Sequence, residues 1–102
     1  AIVDCGSEDC FQQKFTACQP ATLQANTDFG DANYKIIEPA TGGCKIIFKY
    51  TRSSNPDWEN KEMTCVFDNK INFQKSVKNV FNRVFNGSIL CTGPLYNTLK
   101  SL

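Results

Sequence analysis

Between Asn72 and Gly87 the apolar residues Phe73, Val77, Val80, Phe81, Val84 and Phe85 recur at the spacing of one α-helical stripe. Lys75, Lys78, Asn79, Asn82, Arg83 and Asn86 take the other side. Asn72 has the chemistry of an N-cap, and Gly87 that of the residue just past a helix end. The run predicts a long C-terminal amphipathic helix whose aromatic face needs a flat apolar surface to cover.

Upstream the period changes to two. Cys44, Ile46, Phe48 and Tyr50 alternate with Lys45, Ile47, Lys49 and Thr51, and Met63, Cys65 and Phe67 alternate with Glu62 and Thr64. Each run predicts a strand packed on one side. Joined by the polar loop Arg52–Asn60 they form an antiparallel hairpin, and its apolar face suits the helix stripe. Another strand is expected from Tyr34 to Glu38, closed by the turn Pro39–Gly43, and a weaker one near Ala21–Ala25. The turn formers of Asn26–Asn33 separate these two. Asp9 and Gln12 have capping-box spacing, which predicts a helix from Cys10 to about Cys18 that stops before Pro20. Leu95, Tyr96 and Leu99 fit a short helical turn near the end. The sum is an α+β fold, an antiparallel sheet of about four strands with a short N-terminal and a long C-terminal helix packed on it. No repeat or linker divides residues 1–102, so one domain is expected.

Composition adds a constraint that patterning does not. The 102 residues include six cysteines and no histidine, and no Cys-x-x-Cys pair occurs, which disfavours a metal or redox centre. Cys5, Cys10, Cys18, Cys44, Cys65 and Cys91 are therefore read as three disulfides formed in an oxidising compartment. Six cysteines allow fifteen pairings. Cys10 and Cys18 cannot pair within one helix, because eight residues rise about 12 Å and a disulfide needs Cα atoms within about 7 Å.

Eleven basic and ten acidic residues give a net charge of +1, and they form no basic patch that would suit nucleic acid. No apolar run reaches the roughly 20 residues of a membrane span. The start at Ala1-Ile2-Val3, without methionine, is what a secreted chain would show after signal cleavage.

Four pieces of the chain carry a resemblance: Cys5-Gly6-Ser7-Glu8-Asp9-Cys10-Phe11, Cys18-Gln19-Pro20-Ala21, Met63-Thr64-Cys65 and Leu90-Cys91-Thr92-Gly93-Pro94-Leu95. Together they resemble a loosely defined group of small exported or lipid-anchored microbial proteins with Cys-Gly-x-x-x-Cys-Phe, Cys-x-Pro-Ala, Met-Thr-Cys and Leu-Cys-x-Gly signatures. The resemblance implies export and a disulfide framework. It carries no assigned activity.

Candidate chemistry is sparse. Without histidine the usual general base for a serine or cysteine nucleophile is missing. Asp28, Asp31, Asp57, Glu59 and Glu62 are the carboxylates that a glycosidase-like pair could use, but they fall in expected loops or on a solvent face. Asn26, Asp28, Asp31 and Asn33 offer oxygens as a calcium loop would, yet Gly30 is misplaced for an EF-hand and no glutamate ends the loop. No cofactor or metal is expected.

Trp58, at the tip of the 52–60 hairpin, reads either as an exposed recognition anchor or as a ring folded back on the sheet edge. The tip resembles the Pro-Trp hairpin of cystatins, inhibitors of cysteine proteases, with Asp57 set between Pro56 and Trp58 and with the central Gln-x-Val-x-Gly loop absent. Asn86-Gly87-Ser88 is an N-glycosylation sequon. Ile2 and Val3 are apolar enough to add a strand to this sheet or to a neighbour's.

These features predict a non-enzymatic exported or cell-surface protein that works by protein contact, as a self-associating structural subunit or with a protein partner. Two alternatives stand beside it. One is an inhibitor presenting the 52–60 hairpin, and the other a carrier of a small apolar ligand held against Phe73, Phe81 and Phe85.

Overall fold

In the computed structural model, which describes residues 2–27, 29–86 and 91–100, the chain runs β1 (Val3–Cys5), α1 (Glu8–Ala17), β2 (Ala21–Thr27), β3 (Gly30–Ala40), β4 (Gly43–Ser53), β5 (Glu62–Phe67), α2 (Phe73–Phe85) and α3 (Pro94–Lys100). The five strands stand in the sheet in chain order. From β2 to β5 they form an antiparallel meander, while β1 lies parallel to β2, with Val3 opposite Ala21 and Cys5 opposite Leu23. The sheet is thus mixed and five-stranded, not antiparallel with about four. The extra strand follows from α1, which carries the chain across one face and returns it in the starting direction.

Alternation decides which face is covered. Leu23, Tyr34, Ile36, Ile46, Phe48, Tyr50, Met63, Cys65 and Phe67 are buried on the inner face. All three helices contribute to the same core, Phe11 and Phe15 from α1, Val80 and Val84 from α2, Leu95 and Leu99 from α3. Phe73 is its aromatic hub. Its ring meets the edges or faces of Phe11 at 4.9 Å, Phe15 at 5.1 Å and Tyr34 at 5.0 Å, separations typical of favourable aromatic pairs.

Helix α1 begins earlier than its capping-box spacing predicts. Ser7, not Asp9, is the N-cap, and its Oγ accepts the Cys10 N–H at 3.2 Å. Gln12 is used elsewhere: its Oε1 accepts the Phe73 N–H at 2.7 Å and so ties α1 to the first residue of α2. Cys18 ends α1 in a left-handed conformation at φ 50°.

The expected loop Asn26–Asn33 is mostly ladder. Gln24 pairs with Asn33, Asn26 with Asp31, and Thr27 with Gly30. Gly30 makes this tight hairpin possible: its φ is +135°, and a Cβ there would run into the Arg52 carbonyl oxygen of β4.

The long C-terminal helix is also corrected. The stretch forms the 13-residue α2, capped by Asn72 Oδ1 accepting the Lys75 N–H at 2.8 Å, and the separate seven-residue α3 follows. Leu95, Tyr96 and Leu99 are all buried on α3, the residues from which the helical turn is expected. Just before it, Thr92 and Thr64 exchange backbone hydrogen bonds of 2.8 and 3.0 Å along the outer edge of β5.

Three disulfides join Cys5 to Cys10, Cys18 to Cys44 and Cys65 to Cys91. They tie β1 to α1, the end of α1 to β4, and β5 to the segment before α3. Such a set is consistent with an oxidising, extracellular location. Among the described residues no helix is long and apolar enough to cross a membrane.

Candidate functional site

The most distinctive surface is set by the rotational phase of α2. With about 100° between successive residues, Ser76 lies about 60° to one side of Phe73, while Val77, Phe81 and Phe85 lie about 40°, 80° and 120° to the other. Burial does not follow polarity around this circle. Ser76 is fully buried and its hydroxyl has no hydrogen-bond partner among the described residues. Val77 and Phe81 are half-buried, and Phe85 is 53% exposed. The helix therefore presents two adjacent apolar strips. Phe73, Val80 and Val84 enter the core, while Val77, Phe81 and Phe85 overhang it.

The overhang forms one wall of a groove of about 740 Å³. The facing wall is aromatic and comes from the inner face of β3 and β4 and the two tips beside them: Tyr34, Phe48, Tyr50, Trp58 and Phe29. Phe81 meets Phe48 edge-on at 5.2 Å and Phe85 at 6.5 Å. Volume, concavity and an apolar lining with few polar groups are the usual attributes of a small-molecule site.

Backbone hydrogen bonding holds the aromatic wall in place. The Trp58 N–H donates to the Asn55 carbonyl at 3.0 Å, and the Asn60 N–H to the Tyr50 carbonyl at 2.8 Å. Asn60 itself is left-handed at φ 60°. These turns fold the hairpin tip back, so Trp58 stacks on Tyr50 at 5.8 Å and is only 8% exposed. Phe29 is fixed from the other side. Its carbonyl accepts from the Ser54 N–H at 2.9 Å and from the Ser53 hydroxyl at 3.0 Å, which brings the two tips together and sets its ring edge-on to Trp58 at 5.5 Å.

Two tyrosine hydroxyls sit in this wall. Burial pushes Tyr34 well above the usual tyrosine range, with Tyr50 and Glu8 adding to the effect. Burial also raises Tyr50, and a hydrogen bond with Thr27 works the other way. Both are neutral phenols at ordinary pH, which suits an apolar lining.

The sequence-derived candidates fall as follows. Trp58 is turned inward, so its ring belongs to the groove rather than to an exposed anchor. A hairpin-presenting inhibitor would have to use the exposed Arg52, Ser54, Pro56, Asp57 and Glu59 instead. Of the three phenylalanines considered for a ligand wall, Phe81 and Phe85 line the groove and Phe73 is core.

Ile2 and Val3 stand beside the outer edge of β1, 54% and 39% exposed. Asn86 is the exposed C-cap of α2, while Gly87 and Ser88 of its sequon lie outside the described residues. Asp57, Glu59 and Glu62 are exposed, and Asp31 is drawn into the β3 ladder. Asp28, part of both the carboxylate set and the oxygen cluster, lies outside the described residues. Among those described, no group of three or more acidic, cysteine or histidine side chains is placed to hold a metal.

Of this groove the sequence foresees the Phe81 and Phe85 side, as part of a candidate ligand wall, but not Tyr34, Tyr50, Trp58 and Phe29 opposite it. The apolar arc of α2 is wider than one sheet contact needs, and a serine sits where a strictly amphipathic helix would place its buried flank. No family model, no curated protein and no solved structure matches the chain.

Proposed function

We propose that this is a non-catalytic, exported binding protein that holds an apolar small molecule in the groove between α2 and the Tyr50–Trp58 wall. The observation that carries this reading is the phase of α2, which leaves Phe81 and Phe85 facing open space while a polar Ser76 occupies buried volume. Exposing an aromatic costs the burial free energy it would otherwise contribute, about 1.5–3 kcal/mol for a side chain of this size. A bound ligand recovers it.

A small molecule fits better than a protein here. The aromatic area is concave, and only Phe29 and Phe85 of its rings are strongly exposed, whereas a stable protein interface needs about 800 Å² from each partner.

The test is titration with the neutral dye N-phenyl-1-naphthylamine, followed by its own emission and by quenching of Trp58, the only tryptophan in the chain. One saturable site, weakened at least tenfold by Phe81→Ala, is expected. Non-saturable binding, or equal binding by the variant, would remove the reading.

The edge strand supports a second reading, self-association through β1. Its outer edge carries the exposed Ile2 and Val3, and an open edge is a template for another strand. Light scattering should show an oligomer that disappears when residues 1–3 are deleted. A wild-type monomer at all concentrations would eliminate this reading.

A further inference from the structure

Resting on the groove reading, the geometry points to a ligand class: we infer an amphipathic monoanion, a carboxylate or sulfonate whose apolar body is about 10 Å long.

The rings of the groove are interspersed with the polar Asn26, Thr27 and Asn82, and its charged residue, Lys78, stands N-terminal to both Phe81 and Phe85 on α2. On α2 the lining residues are Gln74, Val77, Lys78, Phe81, Asn82 and Phe85. Gln74 and Lys78 lie toward one end, and Phe81 and Phe85 toward the other. Trp58 and Phe29 belong to the facing wall. The distance along the helix from Lys78 to Phe85 is about 10 Å, at 1.5 Å per residue, and this sets the length of the apolar body.

Charge fixes the sign of the head group. Lys78 is the only charged side chain among the described lining residues. It is exposed and has no ion-pair partner among the described residues. The Glu8 carboxylate, which is not part of the lining, accepts the Gln74 amide at 3.0 Å. Glu8 sits in the first turn of α1, where the helix dipole offsets part of its charge. It therefore holds the Gln74 amide, while Lys78 supplies the charge among the described lining residues. A flat or extended apolar body lies on the rings, and its anionic head meets the ammonium group at the open side, where little desolvation is required.

The experiment is displacement of bound N-phenyl-1-naphthylamine by three ligands of equal chain length: decanoate, decan-1-ol and decyltrimethylammonium. Decanoate is expected to displace the dye at a concentration at least tenfold lower than either of the others. Lys78→Gln should abolish that preference and leave displacement by decan-1-ol unchanged, and Lys35→Gln, on the far sheet face, should leave the preference intact.

Equal displacement by all three, a preference for the ammonium compound, or a decanoate preference that survives Lys78→Gln would overturn the inferred head group while the groove reading stands. Failure of the dye itself to bind saturably would overturn both.

Discussion

Ser76 and Phe85 sit on opposite flanks of the same helix with their expected environments exchanged. The serine hydroxyl is fully buried without a partner among the described residues, and the phenylalanine ring is 53% exposed beside the groove. A roll of α2 by about 60° would repair both. Phe73 opposes that roll, because it is locked among Phe11, Phe15 and Tyr34 and its N–H is held by Gln12.

Ser76→Ala should therefore raise stability. It removes a buried hydroxyl with no hydrogen bond, whose desolvation costs about 1–3 kcal/mol. A gain of about 1 kcal/mol in urea unfolding is expected. A loss of similar size would show that the hydroxyl has a partner.

Trp58 separates packing from polarity. Trp58→Ala should cost about 3 kcal/mol, the lower range for deleting a large buried ring, because Tyr50 and Phe29 both lose their contact. Trp58→Phe should cost clearly less than Trp58→Ala, because a ring remains to stack on Tyr50 and the discarded indole N–H has no partner among the described residues. Chemical denaturation of the pair, with equal losses, would refute the stacking account.

The hairpin between β2 and β3 depends on one residue. Gly30→Ala forces a Cβ against the Arg52 carbonyl at φ +135°. A loss of about 2 kcal/mol or more is expected. An unfolding midpoint equal to that of the parent would mean that the strands can part there at no cost.

The tyrosines predict an alkaline limit. Tyr34 and Tyr50 are both raised above the ordinary tyrosine value of 10.0, so the folded state keeps phenolic protons that the unfolded state has lost. Stability is full below pH 10 and falls as pH rises beyond it, by up to about 1.4 kcal/mol per pH unit for each group. Comparing urea unfolding at pH 9 and pH 11 should show the fall, and Tyr34→Phe should flatten it. A parent curve that does not change between these pH values contradicts the assignment.

The strongest periodicities were legible in the chain itself. The alternation of β4 and β5 and the burial of Leu95, Tyr96 and Leu99 follow from residue type and spacing. Other features depend on partners that a local pattern does not reveal. Asn26, Asp31 and Asn33 are turn formers by propensity, yet they pair as strands because a neighbouring ladder fixes them. The three residues of β1 carry too little pattern to predict a parallel pairing that α1 creates. The apolar arc of α2 is visible and puts Phe81 and Phe85 on a candidate ligand wall, but where the core meets that arc is not, so Phe73 reads as wall although it is core. The inward turn of Trp58 rests on serine and asparagine hydrogen bonds in two loops distant in sequence.

Disulfide removal should follow loop length. Cys18–Cys44 and Cys65–Cys91 each span 26 residues and Cys5–Cys10 spans five. The chain-entropy relation gives about 3.5 kcal/mol for each long bridge and about 2 for the short one. Serine double replacements, ranked by thermal unfolding, should keep that order, and a short-loop variant as damaged as the others would argue against it.

The pairing also has a kinetic meaning. First joins second, third joins fourth, and fifth joins sixth, so each bridge joins two cysteines that are consecutive along the chain. As domains form from the N-terminal end during synthesis, Cys10, Cys44 and Cys91 each emerge when their correct partner is the one unpaired thiol among these six. Oxidation in order of appearance thus yields the native set directly, and no shuffling among the fourteen other arrangements is required.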